Sequence, residues 1–206
     1  MAGTPLPGVP ALPMNPRHPV WLALSDLFLD TDTRLSFPYI ARTLAASPFT
    51  DDELEAIFQN EVAPAVEFNL FEIAGEWAGF GEEWLIATIN RRGPKPYQLR
   101  SPGTHHEFQA ALGLAHHLRR IPEDARPARL AAWRLLAKLY LNRECPPPLE
   151  LTSLPYSPAE LATLFRLEVE PAYRPFAASY RRHAPSLYPS PEEVEANWSA
   201  WLFSIE

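Results

Sequence analysis

A single cysteine, Cys145, supplies all the thiol in this 206-residue chain. That excludes an internal disulfide and paired-cysteine metal chemistry, and it suits a reducing compartment. Eight glycines leave little for phosphate-cradling loops. Gly-x-x-x-x-Gly-Lys, Gly-x-Gly-x-x-Gly, Gly-x-Ser-x-Gly and His-Glu-x-x-His are all missing. No apolar run approaches the ~18–20 residues that a membrane span needs. The opening MAGTPLPGVPALPMNPRHP has neither the basic head nor the apolar stretch of a secretory leader. A cytoplasmic protein with no cofactor and no membrane contact is expected, and the sequon Asn197-Trp198-Ser199 then carries no glycan.

What is present points to a folded chain: 47% hydrophobic and 12% aromatic residues are enough to build a core. The 24 prolines are more than twice the usual share of ~5%. Six fall within the first 19 residues, which predicts an extended, flexible tail over 1–16. Others punctuate connections such as Arg92-Gly93-Pro94-Lys95-Pro96 and Cys145-Pro146-Pro147-Pro148.

Charge is divided along the chain. Residues 1–90 hold 3 basic and 13 acidic side chains, residues 91–143 hold 11 and 3, and residues 144–206 hold 4 and 9. Either the pieces attract one another or separate faces meet different partners.

An internal repeat organises these pieces. Residues 47–66 and 154–173 share eight of twenty identities at an offset of 107: Pro48/Pro155, Glu53/Glu160, Leu54/Leu161, Phe58/Phe165, Glu61/Glu168, Val62/Val169, Pro64/Pro171 and Ala65/Ala172. Upstream, Leu24-Ser-Asp-Leu-Phe-Leu-Asp30 answers Leu136-Ala-Lys-Leu-Tyr-Leu-Asn142. Two diverged helical units over 17–92 and 127–206 follow, joined by a basic segment, 93–126, with one helix. Thr50 with Glu53, and Ser157 with Glu160, spell a capping box in each unit. Leu54, Ile57, Phe58 and Val62 make one apolar stripe, and Leu161, Leu164, Phe165 and Val169 its counterpart. Pro64 and Pro171 are expected to end those helices and open the next. Further helices fit 19–30, 38–46, 82–91, 105–120, 127–142 and 191–205, and nothing alternates as a strand. The expected class is all-α, a helical bundle of two related units.

The run Val20-Trp-Leu-Ala-Leu-Ser-Asp-Leu-Phe-Leu-Asp-Thr-Asp32, then Glu61-Val62-Ala63-Pro64, Asn69-Leu70 and Ala74-Gly-Glu-Trp-Ala-Gly-Phe80, resembles a family of small bacterial proteins of unknown function. The likeness covers roughly residues 17–92. It implies a bacterial cytoplasmic protein and brings no activity with it.

Candidate chemistry is sparse. His105-His106 and His116-His117 are eleven residues apart, ~16 Å along a helix, too far to share one ion. No metal site is expected. Glu61 and Glu168 fall on apolar stripes, where an unpaired carboxylate is costly. They are expected to be structural, bonded to N–H groups of the following helix or paired with an arginine such as Arg42 or Arg134. The alternative makes them paired acid/base carboxylates of an enzyme. Arg91, Arg92, Lys95, Arg119 and Arg120, with Tyr97, Arg100, Arg126 and Arg129 near them in sequence, offer a second alternative, contact with nucleic acid. In Asn69–Leu85, Trp77, Phe80 and Trp84 are expected to plug the core, with Glu72, Glu76, Glu82 and Glu83 as an acidic rim. The favoured reading is a non-enzymatic protein-binding module, a toxin-neutralising immunity protein or an adaptor. Glu72, Glu76, Trp77, Glu82 and Glu83 would meet another protein with a basic surface.

Overall fold

The computed structural model describes residues 15–72, 75–76, 78–142 and 153–183. The tail through residue 14, Trp77, Cys145, the sequon and the helix expected over 191–205 lie outside the described residues. Helices α1 (Arg17–Ser25), α2 (Phe37–Ala46), α3 (Asp51–Ile57), α4 (Ala63–Val66), α5 (Glu82–Arg92), α6 (Pro102–Arg119) and α7 (Arg126–Asn142) are followed by α8 (Pro158–Leu164) and α9 (Glu170–His183). Among the described residues there is no strand, and the class is all-α.

Local signals account for most boundaries. Thr50 and Ser157 each accept a hydrogen bond from the backbone N–H three residues on, and Glu53 and Glu160 accept one from the cap residue's own N–H, closing both capping boxes. Asp32 accepts from the Arg34 N–H to start a 3₁₀ turn, Thr33–Ser36. Gly93, at φ 65°, closes α5 in a conformation that a side chain would strain.

The prolines behave differently from the expectation. Neither Pro64 nor Pro171 stops its helix: the chain passes through a π turn, Phe58–Val62 or Phe165–Val169, and continues into α4 or α9. In a regular α-helix Pro64 would lack the N–H that bonds the Asn60 carbonyl, and its ring would press on that oxygen. The wider π turn moves the backbone aside. The Lys95 N–H then takes the Asn60 carbonyl at 3.4 Å, and the Tyr97 N–H takes the Asn60 side-chain oxygen at 3.2 Å.

The core forms where α2 lies along α6. Phe58 is held between Phe28, 5.6 Å away, and Phe108, stacked at 4.5 Å with planes 6° apart. Leu54, Ile57, Phe58 and Val62 are fully buried. So, nearly, are Leu161, Leu164 and Val169, while Phe165 is half-buried against Tyr140 at 5.4 Å. Burying each such side chain is worth about 1.5–3 kcal/mol. Tyr173 of α9 completes the core, stacked on Phe37 at 5.2 Å and donating its hydroxyl to the Arg34 carbonyl at 3.1 Å.

Candidate functional site

Each carboxylate on the apolar stripes pairs with an arginine, as expected in kind, but neither partner is Arg42 or Arg134. Glu61 accepts from Arg17 Nη1 at 2.8 Å and from the Trp21 indole N–H at 2.7 Å. Glu168 accepts from Arg129 Nη1 at 2.5 Å and from the Trp133 indole N–H at 2.7 Å. Arg17 also lies over the Phe49 ring, and Arg129 over Tyr156. Arg42 and Arg134 take no part. The missed signal is Arg-x-x-x-Trp, Arg17/Trp21 on α1 and Arg129/Trp133 on α7; that spacing puts both donors on one helix face. His117 Nδ1 lies 3.9 Å from Glu168. Each carboxylate is bonded to its own arginine and tryptophan, and the two share no hydrogen-bond donor. Among the described residues no group of three His, Cys, Asp or Glu side chains is placed to hold a metal ion.

The stretches that carry the family resemblance meet at Asn69. Its Nδ2 donates to the Phe28 and Glu76 carbonyls, both at 2.9 Å, and its Oδ1 accepts from the Glu76 N–H at 2.6 Å. The Asp30 N–H donates to the Glu76 carbonyl at 2.9 Å. Gly75 is required here, because a Cβ would sit 2.7 Å from the Asn69 carbonyl oxygen.

Sequence reasoning missed two acidic side chains. Glu67, 1% exposed, accepts from the Tyr97 hydroxyl, the Arg100 and Ser101 N–H groups and the Ser101 hydroxyl, all at 2.7–2.8 Å. Desolvation raises its pKa, but these four donors outweigh it and the net shift is downward. It thereby fastens the 95–101 strap and the entrance of α6. Glu107 on α6 accepts from the Thr33 hydroxyl at 2.9 Å. Burial is the main cause that pushes its pKa up to about 7, with Arg34 opposing and Asp32 adding to the rise. Arg34 itself is buried and forms an ion pair with Asp32.

The acidic stretch opens outward more than expected. Trp84 is 44% exposed and stacks on half-buried Phe80 at 5.8 Å, so it does not plug the core. A glutamate pair at the first turn of α5 turns that face to water and carries the indole with it. Phe68 and Phe71, 51% and 58% exposed, fall three residues apart in the 3₁₀ turn Glu67–Phe71, hence on one face. Glu72, Glu76, Glu82 and Glu83 are all exposed; Glu76 accepts from the Ala78 N–H at 3.0 Å.

The basic residues divide. Arg119 donates to Asp51 at 3.0 Å and to the Leu44 and Phe49 carbonyls at 3.1 Å, which latches α6 to the start of α3. His116 joins it on Asp51 at 2.7 Å, and His105 faces Glu55 at 3.9 Å. Those two histidines thus turn toward carboxylates of α3. Arg91, Arg92, Lys95 and Arg120 are exposed.

A family model described as "Domain of unknown function (DUF7079)" matches residues 15–115, from the start of α1 into α6. No curated protein matches the chain, and no solved structure does.

Proposed function

We propose that this chain is a non-enzymatic protein-binding module whose contact surface is the stretch from Phe68 to Trp84, and that its partner presents a basic surface. The observation that carries the reading is the combination on that stretch. Phe68, Phe71 and Trp84 are large, apolar and exposed, and Glu72, Glu76, Glu82 and Glu83 are exposed beside them in sequence. No lysine or arginine occurs between Arg42 and Arg91. Aromatic anchors with a charged rim are the usual composition of an interface, the anchors supplying affinity and the rim steering encounter. An immunity protein or an adaptor would use such a surface. The remainder is scaffold: two diverged copies of one helical unit, each with a capping box, a π turn and an Arg–Trp–Glu bracket, in a bacterial cytoplasmic protein.

The test is affinity purification from native cells, followed by association kinetics of the recovered partner with variants. Glu82→Lys with Glu83→Lys should slow association at least tenfold and flatten its dependence on salt. Trp84→Ala should raise the dissociation rate while the melting temperature stays within a few degrees. Unchanged kinetics in both variants would refute the reading.

A further inference from the structure

Arg42 and Arg134, not engaged by the carboxylates, line a cleft of about 820 Å³ between α2 and α7, and Arg126 at the start of α7 lines it with them. None of the three makes an ion pair with any described carboxylate, and the Arg126 Nε is buried without a hydrogen-bond partner among the described residues. Among the described residues, Glu123 is the one acidic side chain that reaches the same cleft. Three guanidinium groups against one carboxylate leave two positive charges uncompensated. Apart from Thr43 and Ser47, the rest of the wall is mostly apolar, with Pro38, Pro127, Leu130 and the Tyr39 ring, on which Arg42 stacks at 5.4 Å.

We propose that this cleft binds a small organic phosphate. The terminal phosphoryl group of an organic mono- or diphosphate carries close to two negative charges at neutral pH, which matches the surplus, whereas a monocarboxylate would leave half of it uncompensated. Guanidinium forks present paired N–H donors to phosphate oxygens. The first turn of α7, which opens into the cleft at Arg126 and Pro127, adds its positive end. The volume lies within the range of sites for small molecules and cofactors, and the proline and tyrosine walls suit a ring or other apolar body joined to the phosphate. This site is separate from the aromatic–acidic surface, so either assignment can fail without the other.

Isothermal titration of the full chain with orthophosphate, pyrophosphate and ADP tests it. ADP should bind one to one and at least tenfold more tightly than orthophosphate. Arg42→Ala with Arg134→Ala should weaken ADP at least tenfold, and Arg126→Ala should do the same; Arg91→Ala with Arg92→Ala, outside the cleft, should leave affinity unchanged. Arg42 and Arg134 are exposed, so their double variant keeps the test decisive if Arg126→Ala does not fold. No heat with any of the three probes at millimolar concentration would overturn the proposal. So would equal affinity for ADP and orthophosphate, or ADP binding untouched by the Arg42/Arg134 double variant. An oligonucleotide bound through Arg91 and Arg92 while ADP is ignored would overturn it too, in favour of nucleic-acid contact.

Discussion

Replacing Glu107 with glutamine should make the protein more stable at pH 8 while changing it little at pH 5. Its pKa rises from 4.5 to about 7 in the fold, mainly by burial. A carboxyl whose folded pKa is raised contributes stability fully below the unfolded value, and that contribution is lost as pH climbs through the folded one. At 1.36 kcal/mol per pH unit, a rise from 4.5 to about 7 amounts to ~3 kcal/mol, with roughly 2.5 kcal/mol of it lost between pH 5 and 8. Glutamine keeps an acceptor for the Thr33 hydroxyl and carries no charge at any pH. For a chain of this size, Glu107→Gln should therefore melt roughly 5–10 °C higher than the parent at pH 8. Asp26, raised to about 6 by burial, adds a slope of the same sign in both proteins and cancels from the difference. Calorimetric or circular-dichroism melts at half-unit intervals from pH 4.5 to 8.5 would give the curve. A parent and variant that differ by a constant amount across that range would refute the argument. Arg34 would then be holding Glu107 charged in the fold.

Glu61→Ala leaves the buried Trp21 indole N–H and the Arg17 guanidinium without their acceptor, and should cost roughly 1–3 kcal/mol in a denaturant melt. Glu168→Ala should cost a similar amount through Trp133, and Glu61→Gln less than either. Gly75→Ala forces a Cβ to within 2.7 Å of a backbone oxygen, so the loop must shift. A loss of about 1–3 kcal/mol is expected, readable as a lower urea midpoint. Arg119→Ala should loosen α6 from the start of α3 and speed amide exchange in the first turn of α3, where Asp51 keeps only His116.

Helix class and core stripes were legible because they rest on local chemistry: capping boxes at Thr50 and Ser157, and apolar residues at helical spacing after them. The continuation of the chain through Pro64 was not. It depends on Lys95 and Tyr97, more than thirty residues downstream, arriving to bond Asn60, and no local rule supplies that. The outward turn of Trp84 was hidden for a related reason, since an indole in sequence looks the same whether buried or presented. Glu67 escaped notice because nothing in its own neighbourhood marks it; its donors come from the strap before α6. The partners of Glu61 and Glu168 were closer to hand. Arg17 and Trp21 lie on α1 and Arg129 and Trp133 on α7, four residues apart in each case, a spacing visible in the sequence, but nothing local separates these arginines from Arg42 and Arg134.

The charge division resolves into distinct uses. Arg119, His116 and His105 on α6 face Asp51 and Glu55 on α3, and Arg129 is bonded to Glu168. A good part of the basic middle is thus bonded to, or faces, acidic side chains of the flanking segments, as opposite charges along one chain would dictate. What this attraction leaves over is what can act on other molecules. On the acidic side it leaves over, among others, Glu72, Glu82 and Glu83, exposed beside aromatic side chains in the same stretch. On the basic side it leaves Arg42, Arg126 and Arg134 in one cleft, with Arg91, Arg92, Lys95 and Arg120 at the surface. Salt should separate these uses experimentally. Exposed rim charges are screened over a Debye length of about 8 Å at physiological ionic strength, so partner association should fall steeply with added salt. The partly buried Arg129–Glu168 bracket is screened less, so the melting temperature should change far less over the same range. A melting temperature that fell in step with association would mean that the internal pairs, not the surface ones, carry the salt dependence.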